Sequence, residues 1–378
     1  MFKKKIAALA VVAALSGVGS VQAANVEMYG VMDTGLTFTH VKDGNQNKLE
    51  MNSGNYAGPR VGLRGKEDLG NGLAVGFILE SGFTSDNGQL GQNGGIFGRE
   101  AQIYVRGDWG TFGMGRVGAF SSGSSSLGWY WDMEPFETGY TDAGVQATQV
   151  NVWRLNSNTV YYVSPVFGGA KLGLQYSFTG TTDEERPEFS DNDGFFNAAL
   201  RWDGKNARAL AAIEWERAGL REKGFDDRRD DAYNFKLTGA CQPGGGPATF
   251  YLGVSHYRNF SRFSDSTWDD DGKILFGTGD KRLEGWSGFA GAKYTIGAAD
   301  LLAMIQYLDG ENKNPQEGSL QDSDFSRTVA SIGCHYHVSK RTMLYGIGSY
   351  AKGSGLFKDL EEAATDRVML HAGLTHFF

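Results

Sequence analysis

Between residues 117 and 153 the chain carries four carboxylates, Asp132, Glu134, Glu137 and Asp142, interleaved with Trp129, Trp131, Phe136 and Tyr140. Carboxylates at that density can exchange protons, hold a hard cation or form one side of an electric field. The first two tasks need companions. His335 and His337, two apart on a strand, share a face at a metal-type spacing, but no third ligand accompanies them. The run Trp268-Asp269-Asp270-Asp271-Gly272 lacks the ligand spacing of a calcium loop. Gly244-Gly245-Gly246 precedes a strand and not a helix, so it makes no phosphate cradle. Cys241 and Cys334 are too few for a disulfide framework. No catalytic residue, metal ligand or cofactor is therefore assigned. The third task needs only opposed charges across a narrow wet gap between low-dielectric walls. Arg60 and Arg64 suit its other side: a strand that turns Val61 and Leu63 outward turns both arginines inward.

Such a gap needs a rigid frame, and the composition points to strands. The 378 residues include 55 Gly, 7 Pro, 8 Trp, 16 Tyr and 24 Phe, which fits neither collagen nor a disordered chain. Residues 1–23 read as a secretory signal peptide: Lys3, Lys4 and Lys5, an apolar run over 6–15, then small residues favouring cleavage after Ala23 or Ala24. Losing those three lysines takes the net charge from -8 to -11, without the basic footprint of a nucleic-acid binder. No later run of 18 apolar residues occurs, so the exported chain, 24–378, is expected to be soluble or a membrane β-barrel.

The ordered stretches alternate with period two. Over 233–241, Tyr233, Phe235, Leu237 and Cys241 oppose Asn234, Lys236, Thr238 and Ala240; over 342–350, Met343, Tyr345 and Ile347 alternate with Leu344, Gly346 and Gly348. One apolar face and one polar or small face predict lipid outside and a water-filled lumen inside, with interior Gly and Ser opposing a filled core. Seven short turn signals, at 69–72, 108–110, 165–169, 203–206, 243–247, 297–300 and 339–341, alternate with eight long polar connections. Fifteen connections join sixteen strands, the first over 25–38 and the last over 367–378. The even count and the asymmetry predict an all-β, closed, 16-stranded antiparallel transmembrane barrel, with short periplasmic turns and long extracellular loops. His335 and His337 then face inward, and Cys334 lies in the outward row of Ala330, Ile332, Tyr336 and Val338. The third long connection, 117–153, is too long to be idle and is expected to fold into the lumen, its aromatics on the wall and its carboxylates toward the gap.

Several segments resemble the trimeric general porins of Gram-negative bacteria, most of all the β-proteobacterial and neisserial branch. They are Val26-Glu27-Met28-Tyr29-Gly30-Val31-Met32-Asp33, the strand and turn from Arg60 to Gly72, Gly98-Arg99-Glu100-Ala101, Gly110-Thr111-Phe112-Gly113-Met114-Gly115-Arg116, and 158–168. Both ends of the chain match in this way, whereas 180–325 matches by pattern only. Counting back from Phe378 by twos gives His376, Leu374, Ala372, Leu370 and Val368, an outward stripe ending in the aromatic that serves outer-membrane barrels as an assembly signal.

The resemblance implies an outer-membrane homotrimer that contacts lipid and lipopolysaccharide and passes ions and small hydrophilic solutes by diffusion. It implies a basic wall of Arg60, Arg99 and Arg154, joined here by Arg64, facing Asp132, Glu134, Glu137 and Asp142 of the third loop across the constriction. Arg99 sits awkwardly, because Ala101, Ile103 and Val105 share its phase and look lipid-facing; a bulge or outward Gln102 and Tyr104 would be needed. A substrate-specific channel or adhesin barrel is the alternative, and a barrel lipase or protease a more distant one, since it needs a histidine at the outer mouth and His335 and His337 run toward a short turn.

Overall fold

The computed structural model describes residues 25–42, 46–137, 141–178, 193–218, 230–260, 283–313, 324–355 and 366–378. The expected export signal, Tyr140 and the acidic run at 268–272 lie outside the described residues. Among the described residues, seventeen strands form one antiparallel sheet that closes on itself. They are β1 (Asn25–Val41), β2 (Gln46–Ser53), β3 (Arg60–Gly70), β4 (Leu73–Gly82), β5 (Glu100–Gly107), β6 (Gly110–Gly118), β7 (Leu155–Val163), β8 (Ala170–Ser177) and β9 (Gly194–Asp203). The sheet continues with β10 (Ala207–Arg217), β11 (Ala232–Cys241), β12 (Ala248–Phe260), β13 (Leu283–Ile296), β14 (Ala299–Asn312), β15 (Asp324–His337), β16 (Thr342–Gly355) and β17 (Asp366–Phe377).

β2 and β3 lie end to end. β2 pairs with one half of β1, from Thr34↔Ser53 to Val41↔Gln46, and β3 with the other, from Asn25↔Lys66 to Val31↔Arg60. Together they make one stave, so the seventeen segments form a sixteen-stave barrel. β1 closes against β17 from Val31↔Phe377 to Val41↔Arg367, and the Phe378 N–H donates to the Gly30 carbonyl (3.1 Å) at the seam. The short turns fall where their signals stand. In the first, Gly70, Asn71 and Gly72 all take positive φ (80°, 50° and 77°), a left-handed path that β-branched side chains resist.

Alternation sorts the two faces. Leu252, Ile305, Ile332 and Leu370 are exposed on the outside, with Trp202, Tyr294 and Tyr336 near the short-turn rim and Trp286, Tyr307 and Tyr350 toward the other, the aromatic girdles of a lipid-facing belt. Cys241 and Cys334 are both free, on β11 and β15 with three strands between them. Strands stand about 4.8 Å apart, whereas a disulfide needs Cα atoms within about 7 Å. Alkylation under denaturing, non-reducing conditions is therefore expected to label both thiols, and a cross-linked peptide recovered by mass spectrometry would refute this facing.

The interior departs from the expected water-filled lumen on one side. Inward-facing Phe289, Leu302, Met304, Met343, Tyr345 and Ile347 of β13–β16 form one buried apolar cluster with Met133 and Phe136 of the third loop. The small inward residues have the same origin. A side chain on Gly291 would run into Pro135, and one on Gly333 into Phe136. Smallness there makes room for a packed loop and not for water.

Candidate functional site

The third loop leaves β6 at Gly118 and returns to β7 at Leu155, with its two legs joined inside the barrel by Ala119 N–H to Arg154 O (3.1 Å) and Gly123 N–H to Val152 O (2.8 Å). Lys236 of β11 fastens the base. Its buried ammonium donates to the carbonyls of Ser121 (3.1 Å) and Asn151 (3.2 Å) and pairs with Glu214 of β10 (3.1 Å). Glu100 of β5 holds the first leg by accepting from the Ser126 hydroxyl (2.6 Å) and N–H (3.1 Å).

Each third-loop carboxylate has its own local partner. Asp132 meets Arg201 of β9 (2.8 Å) and Arg208 of β10 (3.2 Å). Glu134 accepts the Phe136 N–H (2.8 Å). Glu137 accepts the Tyr56 hydroxyl (3.3 Å) and lies 3.7 Å from the Lys293 ammonium of β13; burial pushes its carboxyl up, against the pull of Lys293. Asp142 is enclosed by Arg367 of β17 (2.6 Å) and Arg327 of β15 (3.1 Å). Burial would raise its carboxyl, yet the two guanidiniums outweigh that and hold it down at about 2.

The basic wall stands elsewhere. Arg60 points inward from β3, as the alternation required, 3.5 Å from Glu80 of β4 and donating to Gly58 O (3.0 Å). Arg99 pairs with the same Glu80 (2.7 Å), whose other oxygen accepts the Tyr29 hydroxyl (3.0 Å). The awkward phase of Arg99 is resolved without a bulge. Gln102 is buried inward and Ile103 exposed outward, while Arg99 precedes the first residue of β5, where alternation no longer binds it. Arg64 pairs with Glu27 across the β1–β3 ladder.

Arg60, Arg64 and Arg99, with Tyr29, Glu80 and Glu100, face the Gly/Ser-rich start of the third loop and Trp131 and Trp153 across a recess of about 480 Å³. Arg154 is not part of it: it pairs with Glu216, donates to Asn156 (2.8 Å) and lies 4.1 Å over the Phe195 ring. Nor do Asp132, Glu134, Glu137 and Asp142 line the recess. The structure thus gathers three of the four expected arginines, places Asp132, Glu137 and Asp142 against cations of other strands, and sets Glu134 on the loop's own backbone.

Of the cations that hold the loop, Lys236 stood on the polar face read over 233–241, whereas Arg201, Arg208, Lys293, Arg327 and Arg367 were not singled out from the sequence. Their phase was available: Arg327 shares the inward row of His335 and His337, and Arg367 alternates with the outward stripe counted back from Phe378. His335 packs edge-on to the Tyr56 ring (5.1 Å between centroids), and His337 meets Asp300 (3.1 Å) at the short-turn rim.

Residues 8–356 match the family model described as Gram-negative porin. The chain is 28% identical to an outer membrane porin protein of Bordetella pertussis, over 98% of this chain and 99% of the relative. It is 26% identical to the major outer membrane protein P.IB of Neisseria gonorrhoeae, over 90% and 92%. An anion-selective porin from Comamonas acidovorans has the same fold, with a TM-score of 0.69 at 20% identity, covering 94% of this chain and 100% of that one. The trimer form of OmpT, an outer membrane protein of Vibrio cholerae, gives 0.63 at 16% identity, over 94% and 100%.

Proposed function

Since this chain belongs to the Gram-negative porin family and forms a passive diffusion channel in the outer membrane, we propose that its solutes pass between the arginine wall and the Gly/Ser-rich start of the third loop, with a preference for anions. One observation carries this reading: every third-loop carboxylate is held away from that recess, by Arg201 and Arg208, by Lys293, by Arg327 and Arg367, or by the loop's own backbone. Within the recess Arg64 and Arg60 meet the water, Arg64 beside the equally exposed Glu27, while Arg99 is buried. The side chains of Arg64 and Arg60 are 55% and 20% exposed, against 5% for Glu80, and Glu100 is buried. A positive surface between low-dielectric walls concentrates anions. The solved anion-selective neighbour is in keeping with this.

The same reading makes residues 1–23 an export signal, Phe378 the assembly signal and the working unit a homotrimer set in lipid and lipopolysaccharide, passing small ions and hydrophilic solutes. The trimeric structural neighbour supports the last assignment of state. It gives the protein no catalytic role: His335 serves packing against Tyr56, and His337 a hydrogen bond with Asp300 at the rim.

Reconstitution of the purified protein in planar bilayers tests both halves. Insertions are expected to conduct in three equal steps, and a salt gradient to give a reversal potential of the sign set by anion flow. Single steps would remove the trimer, and a cation-signed potential would remove the assigned passage.

A further inference from the structure

Between β2 and β3 the wall is interrupted, and residues 54–59 dip into the lumen. Asp33 of β1 ties the dip down. Its carbonyl accepts the Gly54 N–H (3.2 Å) and its carboxylate accepts the Ala57 N–H (3.3 Å), along with the hydroxyls of Tyr345 (3.0 Å) and Thr375. Thr37 donates to Asn55 (3.3 Å), and the Pro59 carbonyl accepts the Phe83 N–H (3.1 Å). Tyr56 and Ala57 are buried as a result. The Tyr56 ring stands edge-on to Trp131 (5.9 Å) and His335 (5.1 Å) and tilts against Tyr345 (6.4 Å), and its hydroxyl reaches Glu137 (3.3 Å). Trp131 and Glu137 belong to the third loop, His335 and Tyr345 to the wall. One side chain therefore bridges the seam between them.

We propose that residues 54–59 are a second constriction element, in which Tyr56 is a wedge that locks the third loop against β15 and β16 and keeps solutes on the arginine side of the lumen. Aromatic edge contacts of this kind hold position as well as burying area. Without the ring, the seam between loop and wall opens to water and becomes a second, less charged route. The direction of the selectivity change rests on the arginine passage proposed above, whereas the conductance change does not.

The full-length protein carrying Tyr56→Ala is expected to conduct roughly 1.5-fold more per step, with greater open-channel noise and an anion preference moved toward unity. Tyr56→Phe, which keeps the ring, is expected to restore wild-type conductance and noise. Wild-type conductance and noise in a folded Tyr56→Ala channel overturns the wedge, whatever the arginine variants show. Should that variant fail to assemble, Asp33→Asn carries the test, because it loosens the ties and leaves the ring in place: raised noise supports the proposal and wild-type noise overturns it.

Discussion

Replacing Arg60 and Arg64 together by alanine is expected to lower the anion-to-cation permeability ratio by about an order of magnitude at low salt. A unit charge about 7 Å from a passing ion in water is worth about 0.6 kcal/mol, favouring anions and opposing cations by the same amount. Two such charges, partly offset by Glu80 behind Arg60 and by the equally exposed Glu27 beside Arg64, leave a change of about that size. The effect should shrink at 1 M salt, where the Debye length falls to about 3 Å. Arg99→Ala is expected to move the ratio less than Arg64→Ala, because the Arg99 side chain is only 7% exposed and is spent on Glu80. Arg154→Ala, outside the recess, is expected to move it least of the three. Reversal potentials at two ionic strengths measure all of this. An unchanged ratio in the double variant would place the solute path elsewhere.

The second large effect concerns the loop's own anchor. Asp142→Asn removes the carboxylate that Arg327 and Arg367 share beneath the loop. Breaking a buried pair by removing one partner costs about 3–5 kcal/mol, so the unfolding midpoint should fall clearly. Arg327→Met in the Asp142→Asn background is expected to recover part of that loss, because it removes one of the two like charges that met at Asp142. The anchor also sets an acid limit. The native Asp142 carboxyl lies at about 2 and the unfolded one at about 3.9, so its contribution is fully present above pH 4 and is lost as pH falls through about 2. Wild-type protein should therefore keep its loop anchored at pH 4, and Asp142→Asn should lack the additional weakening between pH 4 and pH 2. Equal unfolding midpoints of variant and parent at neutral pH would refute the anchor.

The wall of the barrel could be read along the chain because it is built by local rules. Turn residues such as Gly70-Asn71-Gly72 and the two-residue period of β11 or β15 are properties of short segments, and closure follows from their count. The inward phase of Arg60, Arg64 and His335 came from the same period. Two things had no local signal. The break at residues 54–59 looks like loop sequence, and only the pairing of β2 and β3 with the same strand shows it to be a dip inside one stave. The partners of the third loop were equally hidden. Charge complementarity alone would let Asp132 or Asp142 pair with any inward arginine, and an inward arginine is available on many strands. The choice was made by where the loop backbone lies: Pro135 and Phe136 settle onto the cleared surface at Gly291 and Gly333, and that contact delivers Asp132 to Arg201 and Arg208 and Asp142 to Arg327 and Arg367. The alternation told which residues face the lumen; packing across the lumen decided which of them remain in water to meet a solute.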